Sequence, residues 1–297
     1  MAVITEARDF RIFCADLKID ARLRDQVEKQ MRILERTINL DYWDAMSAGQ
    51  THLLSCGSYA RGTCLDAQRI DLLAILPGTV YHRCQSAGSA ADDLQRILRQ
   101  RYATAVCEPD GRTVTLTPAK SLRFHILPTL ITTGGNYICP AADGRDSFTP
   151  LRWEQVYGLR DNQRFDERDR ACKGNLTALC RMIRVWNEEM DAGMSGEMID
   201  TLAYHFMETY DERCCLQVCY DRLCLDFFSY LIGQAGRRYW RSIGGKRRIY
   251  NRADFGYAAR RAHELTEQAI VAYRWEQPAR WYRCWQMIFG DRFPVRL

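Results

Sequence analysis

An α/β half followed by an all-helical half is the fold class that this sequence predicts, and three observations predict it. Between about residues 52 and 130, short apolar runs of strand length surround a single helical stretch. Beyond residue 170 the apolar residues recur at helical spacing. Between the two, residues 131–170 are rich in Gly, Pro, Asp and Arg and read as irregular connection. The division falls near residue 165, giving segments 1–165 and 166–297. A chain of 297 residues, 47% of them hydrophobic, has ample material for a core.

The elements follow in order. Phe10, Phe13, Cys14 and Leu17 share one helical face, and Leu23, Val27, Met31, Leu34 and Ile38 continue it, so the first forty residues read as one long amphipathic lead-in. Apolar strands are expected at 52–56, 70–76, 113–117 and 122–127, a helix around 91–102, and one short helix near 152–157. Leu176, Leu179, Cys180, Ile183 and Trp186 form the stripe of a buried helix, which Gly193-Met194-Ser195-Gly196 ends. Further helices are expected from Glu197 to about Met207 and over 212–233, 254–274 and 278–289. The chain shows neither an internal repeat nor a low-complexity segment.

Composition narrows the function classes. The longest apolar runs are under ten residues, against roughly 20 for a membrane span, and MAVITEARDF lacks the cationic start and apolar centre of a signal peptide. A cytoplasmic protein without a membrane partner is expected. Thirteen cysteines scattered through helices and strands read as reduced thiols. The formal charge of +5 does not announce nucleic-acid binding. Its distribution says more: seven of the cations fall within the sixteen residues from Arg237 to Arg252, interleaved with Tyr239, Trp240 and Tyr250. Such a patch suits phosphates or stacked bases. It is equally a solvated face in a chain with only five lysines, so a nucleic-acid partner stays open.

Residues 57–76 read GSYARGTCLDAQRIDLLAIL. A Gly-Ser pair lets backbone amides approach an anionic ligand, since Gly57 has no Cβ to block it. Ser58, Arg61 and Thr63 add a hydroxyl, a guanidinium fork and a second hydroxyl, all suited to phosphate oxygens. Ile70 to Leu76 is a buried strand that Pro77 stops, and Asp71 is its anomaly. A carboxylate there is paired or metal-bound. Read blandly, Gly57-Ser58 is an ordinary turn and Asp71 pairs with Arg69 on the same face.

GSYARGT followed by an apolar strand carrying an aspartate resembles the signature of the DNA polymerase β-type nucleotidyltransferases. The closer resemblance is to the CD-NTase family, bacterial relatives of cyclic GMP-AMP synthase and oligoadenylate synthetase. Leu122 to Pro128 (LRFHILP), Asn175 to Asn187 (NLTALCRMIRVWN), Met194 to Phe206 (MSGEMIDTLAYHF) and Trp285 to Pro294 (WQMIFGDRFP) support that branch. The resemblance implies a polymerase β-like lobe with a mixed β-sheet over 1–165 and a helical lobe over 166–297 that closes a nucleotide cleft. It also implies a two-metal site held by three carboxylates at positions 69, 71 and 125.

This chain has Arg69, Asp71 and His125 there. The phase of Ile70 to Leu76 fixes that alignment, although the loop before Arg69 is one residue shorter than usual in the family. A fixed cation about 4 Å from a divalent ion is repelled by roughly 8 kcal/mol at an effective dielectric near 20, less any screening. No metal is expected, with Asp71 the ligand if there is one, and Mg²⁺ or Mn²⁺ enters only if the site works in altered form. By resemblance Arg184 and Ser195 join Gly57, Ser58, Arg61 and Thr63 as nucleotide-binding residues. Cys214, Cys215, Cys219 and Cys224, with His205, resemble the zinc insertion of the animal enzyme, but their spacing is wrong and a packed core is expected instead.

The resulting expectation is a catalytically impaired homologue of antiviral cyclic-oligonucleotide signalling that binds a nucleotide or a protein partner of an antiviral operon. Its rivals are an active cyclic di- or oligonucleotide synthase using Asp71 and His125, and a non-binding scaffold closed by an Arg69–Asp71 pair.

Overall fold

The computed structural model describes residues 6–43, 51–83, 87–108, 112–119, 122–140, 153–210 and 219–294. They form two compact units. A sheet unit comprises Ile19–Ala60 and Asp66–Leu159, and a helical unit comprises Met1–Lys18, Arg61–Leu65 and Arg160–Leu297.

In the sheet unit, strands β1 (Leu53–Cys56), β2 (Ile70–Ile75), β3 (Val106–Cys107), β4 (Val114–Ala119) and β5 (Leu122–Ile131) lie in the order β1-β2-β5-β4-β3. The sheet is mixed, as expected: β2 and β5 are parallel and their outer neighbours antiparallel. Two short strands, β6 (Tyr137–Pro140) and β7 (Trp153–Gln155), extend from β5. The period of two along a strand decides what each face carries. Ile70, Leu72 and Ala74 of β2 and Phe124 and Ile126 of β5 pack with Val27, Leu34 and Ile38 of helix α2 (Ala21–Tyr42). Asp71 and His125, one residue out of phase, belong to the opposite face. Short helices α3 (Gly57–Ala60) and α4 (Gly78–Arg83) follow β1 and β2, and α5 (Ala87–Arg99) precedes β3.

The helical unit is built round α7 (Asn175–Glu189), which buries ten residues, among them Leu176, Leu179, Ile183 and Trp186. Helices α6 (Gly158–Ala171), α8 (Gly196–Thr209), α9 (Tyr220–Gln234), α10 (Gly256–Arg274) and α11 (Pro278–Phe289) complete it, with a ribbon of β8 (Tyr239–Arg241) and β9 (Arg248–Tyr250).

Three expectations need correction. The lead-in is two helices, α1 (Glu6–Asp16) and α2, separated where Asp20 caps the second through the Arg22 amide. Residues 6–18 belong to the helical unit, because Phe10 and Phe13 pack edge-on or tilted against Trp281, Trp285, Phe289 and Phe293. The segment expected as a short helix near 152–157 contains β7. The helix expected over 212–233 is present as α9 where it is described, and residues 211–218 lie outside the described residues.

Candidate functional site

Strand register brings together two side chains that the sequence singled out, Asp71 and His125. Cys56 pairs with Asp71, Asp71 with His125, and Thr115 with His125, so these residues form one transverse row across β1, β2, β5 and β4. Arg69 immediately precedes β2, and its Nε donates to Asp71 Oδ1 at 3.0 Å. The pair is partly open to solvent, Arg69 by 69% of its side chain and Asp71 by 30%, so its worth as a surface ion pair is modest. Its consequence is chemical: one oxygen of the carboxylate is already occupied by a cation.

His125 is half-buried, with Nδ1 3.3 Å from Thr115 Oγ1, and the Thr115 hydroxyl donates to Glu108 Oε1. A hydroxyl has one proton, so Thr115 accepts from the Nδ1–H of His125, and Nε2 is left as the acceptor nitrogen. Burial lowers the His125 pKa below the usual histidine value; Arg69 and Arg123 lower it further, and Asp71 and Glu108 oppose them. The folded value lies below the unfolded one, so between the two the unfolded chain binds more protons and stability rises with pH. His52, buried and stacked on Trp43, is shifted in the same direction, first by burial, with Glu35 opposing. Lowering the pH from 7 to about 5 should therefore reduce the melting temperature. Replacing His125→Gln should remove part of that loss, and adding His52→Gln should remove more. Differential scanning fluorimetry at both pH values checks this, and an unchanged pH slope in both variants would refute it.

Gly57 opens α3 with φ +70, and a Cβ built on it would lie 2.8 Å from Asp71 Oδ2. Here glycine is required twice over, by the left-handed backbone and by the carboxylate against it. Gly57→Ala is expected to cost about 1–3 kcal/mol and to force Asp71 off Arg69. Urea unfolding of the variant measures the cost.

In the helical unit the residues expected to hold phosphate are committed elsewhere. Arg61 donates from Nε and Nη2 to Asp200 Oδ2, at 3.0 and 2.8 Å, and from Nη1 to Asn162 Oδ1 at 2.9 Å. Thr63 Oγ1 donates to the same Oδ2 at 3.0 Å. Arg184, on α7, donates from Nη1 to Asp200 Oδ1 at 2.6 Å and from Nη2 to the Gly196 carbonyl at 3.1 Å. Arg61 also lies over the Phe165 ring. All of this is buried, with Asp200 fully so. Burial alone would push the Asp200 carboxyl up, but Arg184 and Arg61 outweigh it and hold it below the usual carboxylate range. A buried carboxylate thus draws Arg61, Thr63 and Arg184 inward, because unpaired guanidinium groups there would be costly. Ser195 caps α8, its Oγ accepting from the Met198 amide at 3.2 Å.

Sequence reasoning did not single out Asp200 or Asn162. A signal for Asp200 existed: it sits between Ile199 and Leu202, all within a buried stretch of α8. Of the cysteine group, Cys224 is packed in the core as expected, Cys219 is exposed, and Cys214 and Cys215 lie outside the described residues.

Two divalent ions would need several carboxylates on one face. Positions 69, 71 and 125 supply a guanidinium, one engaged carboxylate and an imidazole. Among the described residues no group of three His, Cys, Asp or Glu could hold a metal ion. The donor set does not fit such a centre.

The Second Messenger Oligonucleotide or Dinucleotide Synthetase domain matches residues 4–155, just over half of the chain. The chain belongs to this family, the CD-NTases. No curated protein matches it in sequence. It is similar in structure to a chain of the E. coli MS115-1 CdnC:HORMA-deltaN complex, with TM-score 0.73 and 16% identity over 97% of this chain and 98% of that one. It is similar to the Bradyrhizobium diazoefficiens CD-NTase CdnG in complex with GTP, with TM-score 0.68 and 13% identity over 98% and 97%. Vibrio cholerae DncV, a cyclic AMP-GMP synthase, matches with TM-score 0.60 and 13% identity over 97% and 89%. The CD-NTase fold expected from the motifs is therefore the fold of this protein. Among the described residues no helix is long and apolar enough to cross a membrane.

Proposed function

We propose that this CD-NTase is a catalytically impaired member of a bacterial antiviral signalling system, acting in the cytoplasm by binding a nucleotide or a protein partner without synthesising a cyclic oligonucleotide. The observation that carries this reading is the ion pair between Arg69 and Asp71, with His125 beside it, on the sheet face where the family is expected to keep three metal-binding carboxylates. Arg69 supplies fixed positive charge next to the one remaining carboxylate. His125, with a lowered pKa and Nδ1 turned to Thr115, is a neutral donor-acceptor at neutral pH. Such a face tolerates an anion but lacks the charge needed to activate a hydroxyl. The relatives solved with ATP and GTP support a nucleotide ligand, and the relative solved with a HORMA protein supports a protein partner.

A second reading, a scaffold without a nucleotide ligand, is favoured by a separate observation. Arg61, Thr63 and Arg184 are all engaged by Asp200.

Incubation with the four nucleoside triphosphates and Mg²⁺ or Mn²⁺, with products resolved by chromatography, tests the proposal. No cyclic or linear product above background is expected with either ion. Robust turnover abolished by Asp71→Ala would sink it and identify a synthase with an altered metal site. Titration calorimetry with each nucleotide then separates the binder from the scaffold.

A further inference from the structure

The segment from Arg237 to Arg252 contains seven cations and no acid. Tertiary structure sorts it into a two-sided ribbon. In both β8 and β9 only the central residue is buried: Trp240 and Ile249 enter the core of the helical unit, and Tyr239, Arg241, Arg248 and Tyr250 stay exposed. Register sets Tyr239 opposite Tyr250 and Arg241 opposite Arg248, so two tyrosines and two arginines form one outward face. The tyrosine rings are 6.1 Å apart, and Arg248 lies over the Tyr239 ring at 4.7 Å. Tyr239 is 43% exposed and Tyr250 57%, so both rings of the pair are open to a ligand.

Two further features argue that this face is built for a ligand. It is held rigidly: Trp240 Nε1 donates to Gln234 Oε1 at 2.9 Å, and the Gly244 amide donates to the buried Asp161 Oδ1 at 2.6 Å. It also keeps its charge. Arg247 is the one cation of the segment in an ion pair among the described residues, with Asp161 and Glu197, whereas Arg237, Arg238, Lys246 and Arg252 stand exposed round the ribbon. A solvated arginine face needs no aromatic platform, and an apolar docking face would not carry this charge.

We infer that the outward face of the β8–β9 ribbon binds single-stranded nucleic acid, bases stacking on Tyr239 and Tyr250 and phosphates meeting the surrounding arginines. Aromatic rings accept any base face, and the cations follow the backbone. A duplex hides its base faces and offers the ribbon charge alone. The inference is independent of the reading of Arg69 and His125.

Fluorescence anisotropy of the full chain with labelled oligo(dT) and oligo(U) of about 20 nucleotides, and with a duplex of the same length, tests it. At least one single strand should bind at micromolar concentration or better at low salt, weaken as salt rises, and exceed the duplex by about fivefold or more. Tyr239→Leu/Tyr250→Leu keeps apolar bulk and removes the rings, so affinity should fall about tenfold or more, whereas Tyr239→Phe/Tyr250→Phe should stay within about twofold. Arg241→Ser/Arg248→Ser should flatten the salt dependence. An unchanged melting temperature in the leucine variant shows that folding is intact. A preference between the two strands would identify DNA or RNA as the ligand. The inference fails if neither strand binds, if the leucine variant binds as well as the parent, or if the duplex or inorganic polyphosphate competes as effectively as the single strands.

Discussion

Asp200→Asn is expected to destabilise the helical unit by about 3–5 kcal/mol, the cost of leaving a buried charge without its partner. Asp200 is fully buried and is the shared acceptor for Arg61, Thr63 and Arg184. Neutralising it leaves two buried guanidinium groups facing each other across an amide that must turn one donor toward them. For a unit of this size, the melting temperature should fall on the order of 10 °C. Arg61→Met should cost less, because Asp200 keeps its bond to Arg184 and the methionine side chain still packs on the Phe165 ring. The low carboxyl pKa adds an acid limb: its stabilisation is present above the unfolded aspartate value and is lost as pH falls through the folded one. The parent should thus lose stability below about pH 4 more steeply than the asparagine variant. Scanning calorimetry of the three proteins at neutral and acid pH decides. Should Asp200→Asn melt with the parent, the network is not structural, and Arg61 and Arg184 return as candidates for phosphate.

The second large effect is a gain. Arg69→Asp with His125→Asp is expected to create a divalent-ion site at the partly exposed row that Asp71 and His125 form on the sheet. Asp71 and His125 are register partners on parallel strands, so their side chains stand about 5 Å apart, and residue 69 lies two along on the same face. Without an ion, three neighbouring carboxylates repel, so the double variant should melt below the parent. Mn²⁺ at about a hundredfold over its dissociation constant should return roughly 2.7 kcal/mol. Each single change should bring much less: Arg69→Asp leaves an imidazole where a hard anionic ligand is needed, and His125→Asp leaves the guanidinium on Asp71. The effects should be non-additive, as for residues that act as one unit. Mn²⁺ titration followed by electron paramagnetic resonance and by melting temperature reads this without any need for turnover. A double variant that folds but is indifferent to Mn²⁺ would show that the site has lost more than two ligands.

The succession of an α/β half and a helical half, and the chemistry of one sheet face, were legible in the sequence. Ile70 to Leu76 was legible as a strand from a short apolar run that Pro77 stops, and Leu176 to Trp186 as a helix from its hydrophobic period. The grouping of Arg69, Asp71 and His125 was implied by the family resemblance, and strand register and the Arg69–Asp71 pair bring the three together. Elements with too few residues to show a period were not legible. Tyr239–Arg241 and Arg248–Tyr250 each bury one residue, and β6 and β7 have four and three residues. The break after Asp16 has neither Gly nor Pro to mark it. Where Arg61 and Arg184 point was settled by long-range packing. Their common partner lies 139 and 16 residues away along the chain. A guanidinium reads the same in sequence whether it meets a phosphate or a buried carboxylate, and the choice rests on which opposite charge folding leaves within reach and out of water.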